Sequence, residues 1–280
     1  MDLTLFQQKD NFPRFVMDKL ASVPIDYKGM NLHIDKSRQE GSTHLKASVV
    51  LLLNFKNIYD KSEYVFQLIK RSDTVSQGGD ISCPGGMLQP SRDNFLNFFV
   101  KTGILPAMRG RKVSLIQRGD KETAALIHLF LTNALREAWE EIGLNPFNIK
   151  FLGALPSYSL TLFARTIFPF VCCTPKSFKY KLSSEVEKIL EIPVSFFFNS
   201  DNYAMLDINT SLGKDSEPLQ YQTPCLIIPD GHGGEDILWG ATYNIIYNFL
   251  RIISDNSLPS PSSCRIFNKV LTINYISGKT

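Results

Sequence analysis

The sequence lacks the segments that would direct a protein to a membrane or an organelle. It contains no apolar run that approaches the roughly 20 residues that a membrane-spanning helix needs. Its N-terminal stretch, MDLTLFQQKDNFPRF, does not show the basic and then apolar layout of a secretory signal peptide. The closing segment 277–280 is not a peroxisomal targeting signal. We therefore expect a cytoplasmic protein without membrane association.

An excess of one charge sign is also missing. Charged residues make up 20% of the chain, and the formal net charge is +3. Such a mild excess suits an anionic small molecule, but it does not give the strongly basic surface expected of a nucleic-acid-binding protein. An ordinary solvent-exposed surface would have the same composition.

Cysteines are few, and no pair has the spacing of a metal site. The number is odd, and no CxxC pair or histidine-rich spacing accompanies them. The sequence therefore predicts reduced, buried thiols rather than a disulfide framework or a zinc site. The five cysteines are Cys83, Cys172, Cys173, Cys225 and Cys264.

The chain has enough apolar material for a full core. Of its 280 residues, 44% are hydrophobic and 11% are aromatic. That length favours one large domain, or one domain with an insertion. We expect an N-terminal extension at 1–40, a central domain at 41–256 and a C-terminal segment at 257–280.

Hydrophobic patterns predict strands mixed with a few helices. Such a mixture is typical of an α/β fold in which a mixed central sheet carries helices on both faces. Strands are expected at 46–55, 63–71, 149–155 and 167–173, and helices at 12–21, 121–142, 183–190 and 237–253. The rest of the N-terminal extension reads as a loop.

One long helix has clear end signals, and a glycine-rich loop and an insertion precede it. Asp120 is the expected N-cap, and Gly143 is the expected left-handed residue at the C-terminus. The loop at 77–86, QGGDISCPGG, must contain unusual backbone angles. Segment 87–120 shows no clean periodicity, and we interpret it as an insertion that could be a lid, a dimer contact or a specificity loop.

Three glutamates near the end of the long helix share one arc of its surface. With Glu137 at zero and a step of 100° per residue, Glu140 lies at about −60° and Glu141 at about +40°. Four apolar residues fall on the opposite side and are predicted to be buried: Leu135, Ala138, Trp139 and Ile142.

This acidic arc allows two interpretations. Three neighbouring carboxylates repel one another, and a bound hard cation would remove that repulsion. Without a metal, the same arc would be a solvated acidic face. Arg136 precedes Glu140 by four residues, so the two side chains can pair and fix the orientation of the carboxylate.

The stretch resembles the second half of the Nudix box, REUxEExGU, where U is apolar. It matches at Arg136, Glu137, Ala138, Glu140, Glu141, Gly143 and Leu144, and the Pro-Gly-Gly that opens the box is present at 84–86. The resemblance implies a Nudix-type α/β/α sandwich and a loop–helix–loop site. In that site the Gly86 carbonyl and the side chains of Glu137, Glu140 and Glu141 would hold Mg²⁺ or Mn²⁺.

The first half of the box departs from the family pattern. A glutamate belongs where this chain has Arg92 when counted from Gly86, or His128 when counted back from Arg136. The gap between Gly86 and Arg136 is also far too long, so the insertion lies inside the box. The missing carboxylate could come from Asp93, Asp120 or Glu122.

The chain further resembles the coenzyme A diphosphatase branch of the Nudix family, from about residue 47 to residue 250. A Ser76-Gln77 neighbourhood stands where that branch usually has an arginine. The segments that carry the resemblance, in order, are 68–72, 83–86, 183–186, 192–196 and 238–242.

The resemblance implies roles for single residues. Glu137 would be a metal ligand or the catalytic base, and Arg136 would orient the glutamates. Arg71 and Gly85 would bind the substrate phosphates, and the alternative for Arg71 is a surface residue. Glu185 has two interpretations: a first-turn residue favoured by the dipole of the predicted helix at 183–190, or an extra carboxylate that acts on the metal or the water.

The sequence thus predicts an enzyme that hydrolyses a diphosphate bond in a nucleotide-type small molecule such as coenzyme A. Two alternatives stay open. One is a Nudix-fold binding module that has lost hydrolysis, and the other is a Nudix enzyme for ADP-ribose or a dinucleoside polyphosphate. A homodimer is compatible with the insertion at 87–120.

Overall fold

The strand that is predicted at 46–55 is present in the structure, and the candidate site lies beside it. The structure is a computed structural model that describes residues 2–58, 61–89, 120–160, 164–174, 178–211, 220–231, 233–259, 265–272 and 275. Its helices are α1 (Asn11–Leu20), α2 (Tyr27–Gln39), α3 (Lys121–Ile142) and α4 (Gly240–Ile253). Its strands are β1 (Leu45–Ile58), β2 (Lys61–Arg71), β3 (Ile81–Ser82), β4 (Gly85–Met87), β5 (Lys150–Ala154), β6 (Tyr158–Leu160), β7 (Arg165–Thr174), β8 (Val186–Pro193), β9 (Tyr203–Ser211), β10 (Gln220–Pro229), β11 (Glu235–Leu238) and β12 (Ile266–Thr272).

The chain divides into two units. The first unit comprises Thr4–Tyr64 and Cys83–Lys181, and the second comprises Met1–Leu3, Val65–Ser82 and Leu182–Thr280. Both are built from strands and helices, which confirms the predicted mixed α/β class. The segment bounds 1–40, 41–256 and 257–280 stay a prediction.

The sheet of the first unit is mixed. β1 pairs in parallel with β7 and antiparallel with β4, and β7 also pairs antiparallel with β5 and β6. The core of β1 is the run Val50–Leu53, in which every side chain is fully buried. A run without alternating polar residues is expected of a strand that is covered on both faces.

Aromatic residues connect the helices of the first unit to its sheet. Phe130 of α3 stacks on Phe168 of β7 with ring centroids 3.9 Å apart. Tyr27 of α2 meets Phe168 edge to face at 4.8 Å, and its hydroxyl donates to the Pro169 carbonyl at 2.9 Å. Because the buried hydroxyl has a partner, the ring can be packed without a desolvation penalty for an unpaired group.

The predicted ends of the long helix are confirmed. The Asp120 carboxylate accepts from the Thr123 N–H at 2.8 Å, so it satisfies one of the free donors of the first turn. Gly143 has a φ of +73°, and its N–H donates to the Trp139 carbonyl at 2.9 Å. A left-handed residue at this place ends the helix and turns the chain away.

The second unit contains a sheet of its own. β9 pairs antiparallel with β10 and parallel with β12, and β10 pairs antiparallel with β11. In the same unit, β2 pairs with β3 and β8 from Val65 onward. Phe66 packs edge to face on Phe197, which lies in the 3-10 turn after β8, and on Phe249 of α4. The ring centroids are 5.3 and 6.0 Å apart.

Three predicted elements need correction. The helix expected at 183–190 is wrong, because Val186–Pro193 forms β8. The loop expected after residue 21 contains α2, Tyr27–Gln39. The final helix begins at Gly240 rather than at residue 237, because Glu235–Leu238 forms β11.

The helix prediction at 183–190 failed because the buried residues of this stretch fit two periods. Val186, Leu190 and Ile192 are buried and lie an even number of residues apart, as they would on one face of a strand. Antiparallel pairing with β2 supplies the hydrogen bonds, and this tertiary contact overrides the local helix preference.

Two further predictions concern residues outside or only partly inside the described ranges. Cys83, Cys172, Cys173 and Cys225 are buried and form no disulfides, as expected, whereas Cys264 lies outside the described residues. Of the insertion at 87–120, residues 90–119 also lie outside them.

None of the helices in the described ranges combines the length and apolar character that crossing a bilayer requires.

The end of α3 gives a paired test of glycine conformation. We expect Gly143→Ala to lower the free energy of unfolding by about 1 kcal/mol or more, because alanine resists a positive φ. The added Cβ would also lie 2.9 Å from the Lys181 Cβ. Urea denaturation followed by circular dichroism measures the change.

Gly29→Ala is the matched control, with the opposite expected sign. Gly29 lies inside α2, and an added Cβ there would meet nothing within 4 Å. This substitution should raise the free energy of unfolding by about 0.5–1 kcal/mol, since glycine is a poor helix former. Equal effects of the two substitutions would contradict the left-handed turn at Gly143.

Candidate active site

The glycine pair lies on the strand that borders α3. In the pairing of β4 with β1, Gly86 stands opposite Ser48 and Gly85 stands opposite Val49. Gly85 has a φ of +151°, and a Cβ there would collide with the Ser48 carbonyl oxygen and lie 2.6 Å from the Val49 Cα. Any larger residue at position 85 would therefore force the two strands apart.

Gly86 lies directly against the carboxylate of Glu137. A Cβ built on Gly86 would lie 2.5 Å from the Glu137 Cδ, and 2.7 and 2.9 Å from the two carboxylate oxygens. The absence of a side chain on Gly86 thus creates the space that the Glu137 carboxylate occupies. Residues on either side of the insertion meet here.

Glu141 binds the other glycine. The Gly85 N–H donates to the Glu141 Oε2 at 2.9 Å, and Glu141 is only 6% exposed. Burial raises the pKa of the neighbouring Cys83 thiol to about 12, and the charge of Glu141 adds to the effect. Cys83 therefore stays protonated beside the site at neutral pH.

Arg136 bridges two of the three glutamates. Its side chain is 3% exposed, and it donates to Glu137 Oε1 at 2.7 Å and to Glu140 Oε2 at 3.0 Å. The contact with Glu140 is the one that the spacing of four residues predicts. A buried guanidinium between two carboxylates offsets their mutual repulsion.

The predicted division of α3 into an apolar and an acidic face is only partly right. Leu135, Ala138 and Ile142 are buried, but Trp139 is 60% exposed. Arg136 and Glu141 are buried instead. The prediction of one buried and one exposed face fails because α3 packs against β1, β4, β7 and α2. Most of the circumference of its middle section is therefore covered.

Two of the residues proposed for the missing carboxylate are too far away. Asp120 caps the N-terminus of α3, and Glu122 pairs with Lys28 at 2.8 Å. At 1.5 Å per residue along the continuous helix, Glu122 lies about 22 Å before Glu137. This distance excludes Asp120 and Glu122, and Asp93 lies outside the described residues.

Arg71 and Glu185 lie in the second unit and are described there alone. The Arg71 Nε donates to the Ser76 carbonyl at 2.9 Å, so the side chain supports the loop that follows β2. Glu185 is exposed, and its carbonyl accepts from the Ser72 N–H at 2.9 Å. Because β8 replaces the predicted helix, the interpretation of Glu185 as a residue of the first helical turn is wrong.

The same loop is bound at its other end by Asp80. The carboxylate of Asp80 accepts from the Trp239 Nε1 at 3.1 Å, from the Lys269 Nζ at 2.6 Å and from the Tyr275 hydroxyl. The Lys269 ammonium lies 5.0 Å from the Trp239 ring centroid. Trp239 therefore has a specific polar role in addition to packing against the apolar core of the second sheet.

Sequence reasoning missed a buried polar pair, Asn133 and Ser48, both of which are 0% exposed. The Asn133 Nδ2 donates to the Ser48 Oγ at 2.6 Å and to the Gly86 carbonyl at 3.0 Å. The available signal was a polar residue within each of two mainly apolar stretches, since buried polar groups are rarely without a specific partner.

The donor set of the site suits a hard cation by its chemistry. Carboxylate and carbonyl oxygens converge around Gly86 and Glu137, and such oxygens are the preferred ligands of Mg²⁺ and Mn²⁺. Within the described residues, however, no three His, Cys, Asp or Glu side chains are grouped to hold a metal ion. Arg136 binds one oxygen of Glu137 and one oxygen of Glu140.

No family model matches the chain, and a search of curated proteins found no match. Among solved structures, the chain is similar to an Ap4A hydrolase from C. elegans, at 14% identity over 53% of this chain and 80% of that one, with a TM-score of 0.32. It is also similar to a MutT/nudix family protein from Enterococcus faecalis, at 12% identity over 82% and 72%, with a TM-score of 0.41.

A third similar structure is the NUDIX domain of Shewanella oneidensis NrtR, which was solved in complex with ADP ribose. Identity is 11% over 56% of this chain and 77% of that one, with a TM-score of 0.34. TM-scores in this range do not assign an activity to this chain.

The two glycines should respond differently to the same substitution. Gly86→Ala should lower the midpoint of thermal unfolding only moderately, because the colliding Glu137 carboxylate can rotate away. Gly85→Ala should lower it more, because the collision is with the backbone of β1 and the φ is positive. Differential scanning fluorimetry of both variants decides the order, and the reverse order would contradict the packing of β4 on β1.

Proposed function

We propose that the protein is a metal-dependent hydrolase that cleaves a diphosphate bond in a nucleotide-type small molecule. The observation that carries the proposal is the junction at Gly86, whose Cα faces the Glu137 carboxylate while Gly85 binds Glu141. These residues match the two halves of the Nudix box, and they are adjacent in space although the insertion separates them along the chain.

The cation would be Mg²⁺ or Mn²⁺, held by the Gly86 carbonyl and by the side chains of Glu137, Glu140 and Glu141. When bound, such an ion neutralises phosphate charge and lowers the pKa of a coordinated water. Arg136 would orient two of these ligands, because it binds an oxygen of Glu137 and an oxygen of Glu140.

Glu137 is the residue that we assign to the attacking water. Its side chain is 16% exposed, so it can reach solvent while Arg136 fixes one of its oxygens at 2.7 Å. A carboxylate fixed in this way can accept a proton as a general base, or it can serve as a further ligand. Arg136 itself is buried, so its role is to orient the glutamates rather than to contact substrate.

The remaining assignments rest on the sequence resemblance. Gly85 and Arg71 would bind phosphate oxygens, and Glu185 would act on the metal or the water. Arg71 keeps donors beyond the Nε that holds Ser76, because a guanidinium carries five N–H groups. Coenzyme A is the substrate that the sequence motifs favour, with ADP-ribose and dinucleoside polyphosphates as the alternatives.

One observation favours a second candidate function. Within the described ranges, no three His, Cys, Asp or Glu side chains are grouped to hold a metal ion. A Nudix-fold module that binds nucleotide but no longer hydrolyses it would have such an arrangement. Calorimetry with ADP-ribose and coenzyme A, with and without Mg²⁺, separates the two functions, since only the enzyme releases monophosphate products.

Charge-neutral substitutions of the glutamates test the proposed hydrolase. Glu137→Gln should lower kcat by about 100-fold or more, as expected when a general base is lost. Glu141→Gln should weaken metal activation in addition, because the ligand charge is removed. Product analysis by chromatography, with a panel of coenzyme A, ADP-ribose and a dinucleoside polyphosphate in Mg²⁺ or Mn²⁺, gives the rates.

Glu122→Gln is the matched control. It makes the same change of charge on the same helix, but Glu122 pairs with the exposed Lys28 at the far end. Its kcat should remain within about twofold of wild type, as is usual for surface positions. Near-wild-type turnover of Glu137→Gln and Glu141→Gln, or no metal-dependent hydrolysis of any diphosphate, would overturn the proposed function.

A further inference from the structure

Asn133 lies at the centre of a hydrogen-bond network that joins the glycine strand to α3. Its side chain is fully buried and contacts three partners. The amide nitrogen donates to the Ser48 Oγ at 2.6 Å and to the Gly86 carbonyl at 3.0 Å. The amide oxygen accepts from the Arg136 Nη2 at 2.8 Å.

The chemistry of the partners fixes the orientation of this amide. A guanidinium can only donate, so the Asn133 oxygen must face Arg136 and the nitrogen must face Ser48 and Gly86. The Ser48 hydroxyl donates to the Phe130 carbonyl at 2.8 Å, so it accepts from Asn133. Every polar atom of the amide is thus used, and a flipped amide would face Arg136 with a donor.

The insertion explains why such a connection is needed. Asn133 and Gly86 are 47 residues apart along the chain. A short covalent loop would hold a carbonyl and a helix in register by itself, whereas the register across a long segment must be set by tertiary contacts. Asn133 contacts both sides of this junction at once: the carbonyl of Gly86 and the guanidinium that orients Glu137.

We infer that Asn133 is a positioning residue that sets the Gly86 carbonyl and Arg136 for metal binding. This inference rests on the proposed function and deepens it. A backbone carbonyl has two lone pairs, so Gly86 can accept from Asn133 and still offer an oxygen to a cation. Through Arg136, the same amide fixes the side chains that approach from α3.

A purely structural role makes a different prediction. If Asn133 only satisfied buried groups, its loss would lower stability and leave metal affinity unchanged. Thr132 supplies the control, because it is the preceding residue of α3, is 4% exposed and donates to the His128 carbonyl at 2.7 Å. Its hydroxyl binds within α3 and makes none of the described contacts with Gly85 or Gly86, and its loss also removes a buried hydrogen bond from the same helix.

The experiment compares Asn133→Ala and Thr132→Ala with wild type in the full-length chain. Mn²⁺ binding is measured directly by electron paramagnetic resonance of the free ion, and stability is measured by thermal unfolding. We expect Asn133→Ala to weaken Mn²⁺ affinity by about 10-fold or more, as the loss of a residue that orients metal ligands does. Thr132→Ala should bind Mn²⁺ with an affinity within about twofold of wild type. Both variants should unfold at a lower temperature than wild type.

The outcomes separate this inference from the proposed function. If the wild-type protein hydrolyses a diphosphate and Asn133→Ala binds Mn²⁺ with unchanged affinity, the role of Asn133 is overturned and the hydrolase is not. Mn²⁺ binding that depends on Asn133 without any hydrolysis would support the inference and overturn the hydrolase. Wild-type protein that binds no Mn²⁺ overturns both. If Asn133→Ala does not fold, Asn133→Ser is used with the same criteria, since its hydroxyl keeps one polar group in the space.

Discussion

The contact between a glycine without a side chain and a glutamate carboxylate is the constraint on which the site depends. At Gly86 the added carbon of any other residue would occupy the space of the Glu137 carboxylate. At Gly85 the same carbon would collide with the backbone of β1, and the N–H is needed by Glu141. The close approach of β4 to α3 follows from these two positions, and it places Glu137 and Glu141 beside the two glycines.

Electrostatics at this junction is balanced by a buried arginine. Taking charged groups out of water is costly unless they are paired. Arg136 pairs with Glu137 and Glu140, and Glu141 accepts an N–H from Gly85. The third partner of Arg136 is Asn133, a neutral acceptor that adds no further negative charge. These pairings lower the free-energy cost of burying the charged groups at this junction.

In the second unit, polar contacts hold both ends of the loop that follows β2. Arg71 binds the loop after β2 through the Ser76 carbonyl, and Asp80 binds it to Trp239 of the α4 entry and to Lys269 of β12. Burial and the charge of Asp80 raise the pKa of Tyr275, so its hydroxyl stays protonated and donates to that carboxylate. The loop is thus connected to segments that are distant from it in the sequence.

Much of the first unit could be predicted because its signals are local. Asp120 and Gly143 mark the ends of α3 by side-chain capping and by a positive φ, and the run at 46–55 marks β1 by its composition. The acidic cluster and the glycine pair were visible as motifs, since each is short and continuous. The α/β class followed from the mixture of these elements.

Elements with strong local signals are therefore specified by the chain alone. Which surfaces of those elements become covered depends on contacts between segments that are distant in the sequence. Val186–Pro193 became a strand because β2 offered hydrogen bonds, and Trp139 was left exposed while Arg136 and Glu141 were buried. The connection of Asn133 to Gly86 was also decided at this level, because hydrogen bonds between distant residues leave no periodic trace in the chain. The physical reason is that capping and periodicity act within a few residues, whereas burial depends on the neighbours that folding brings together.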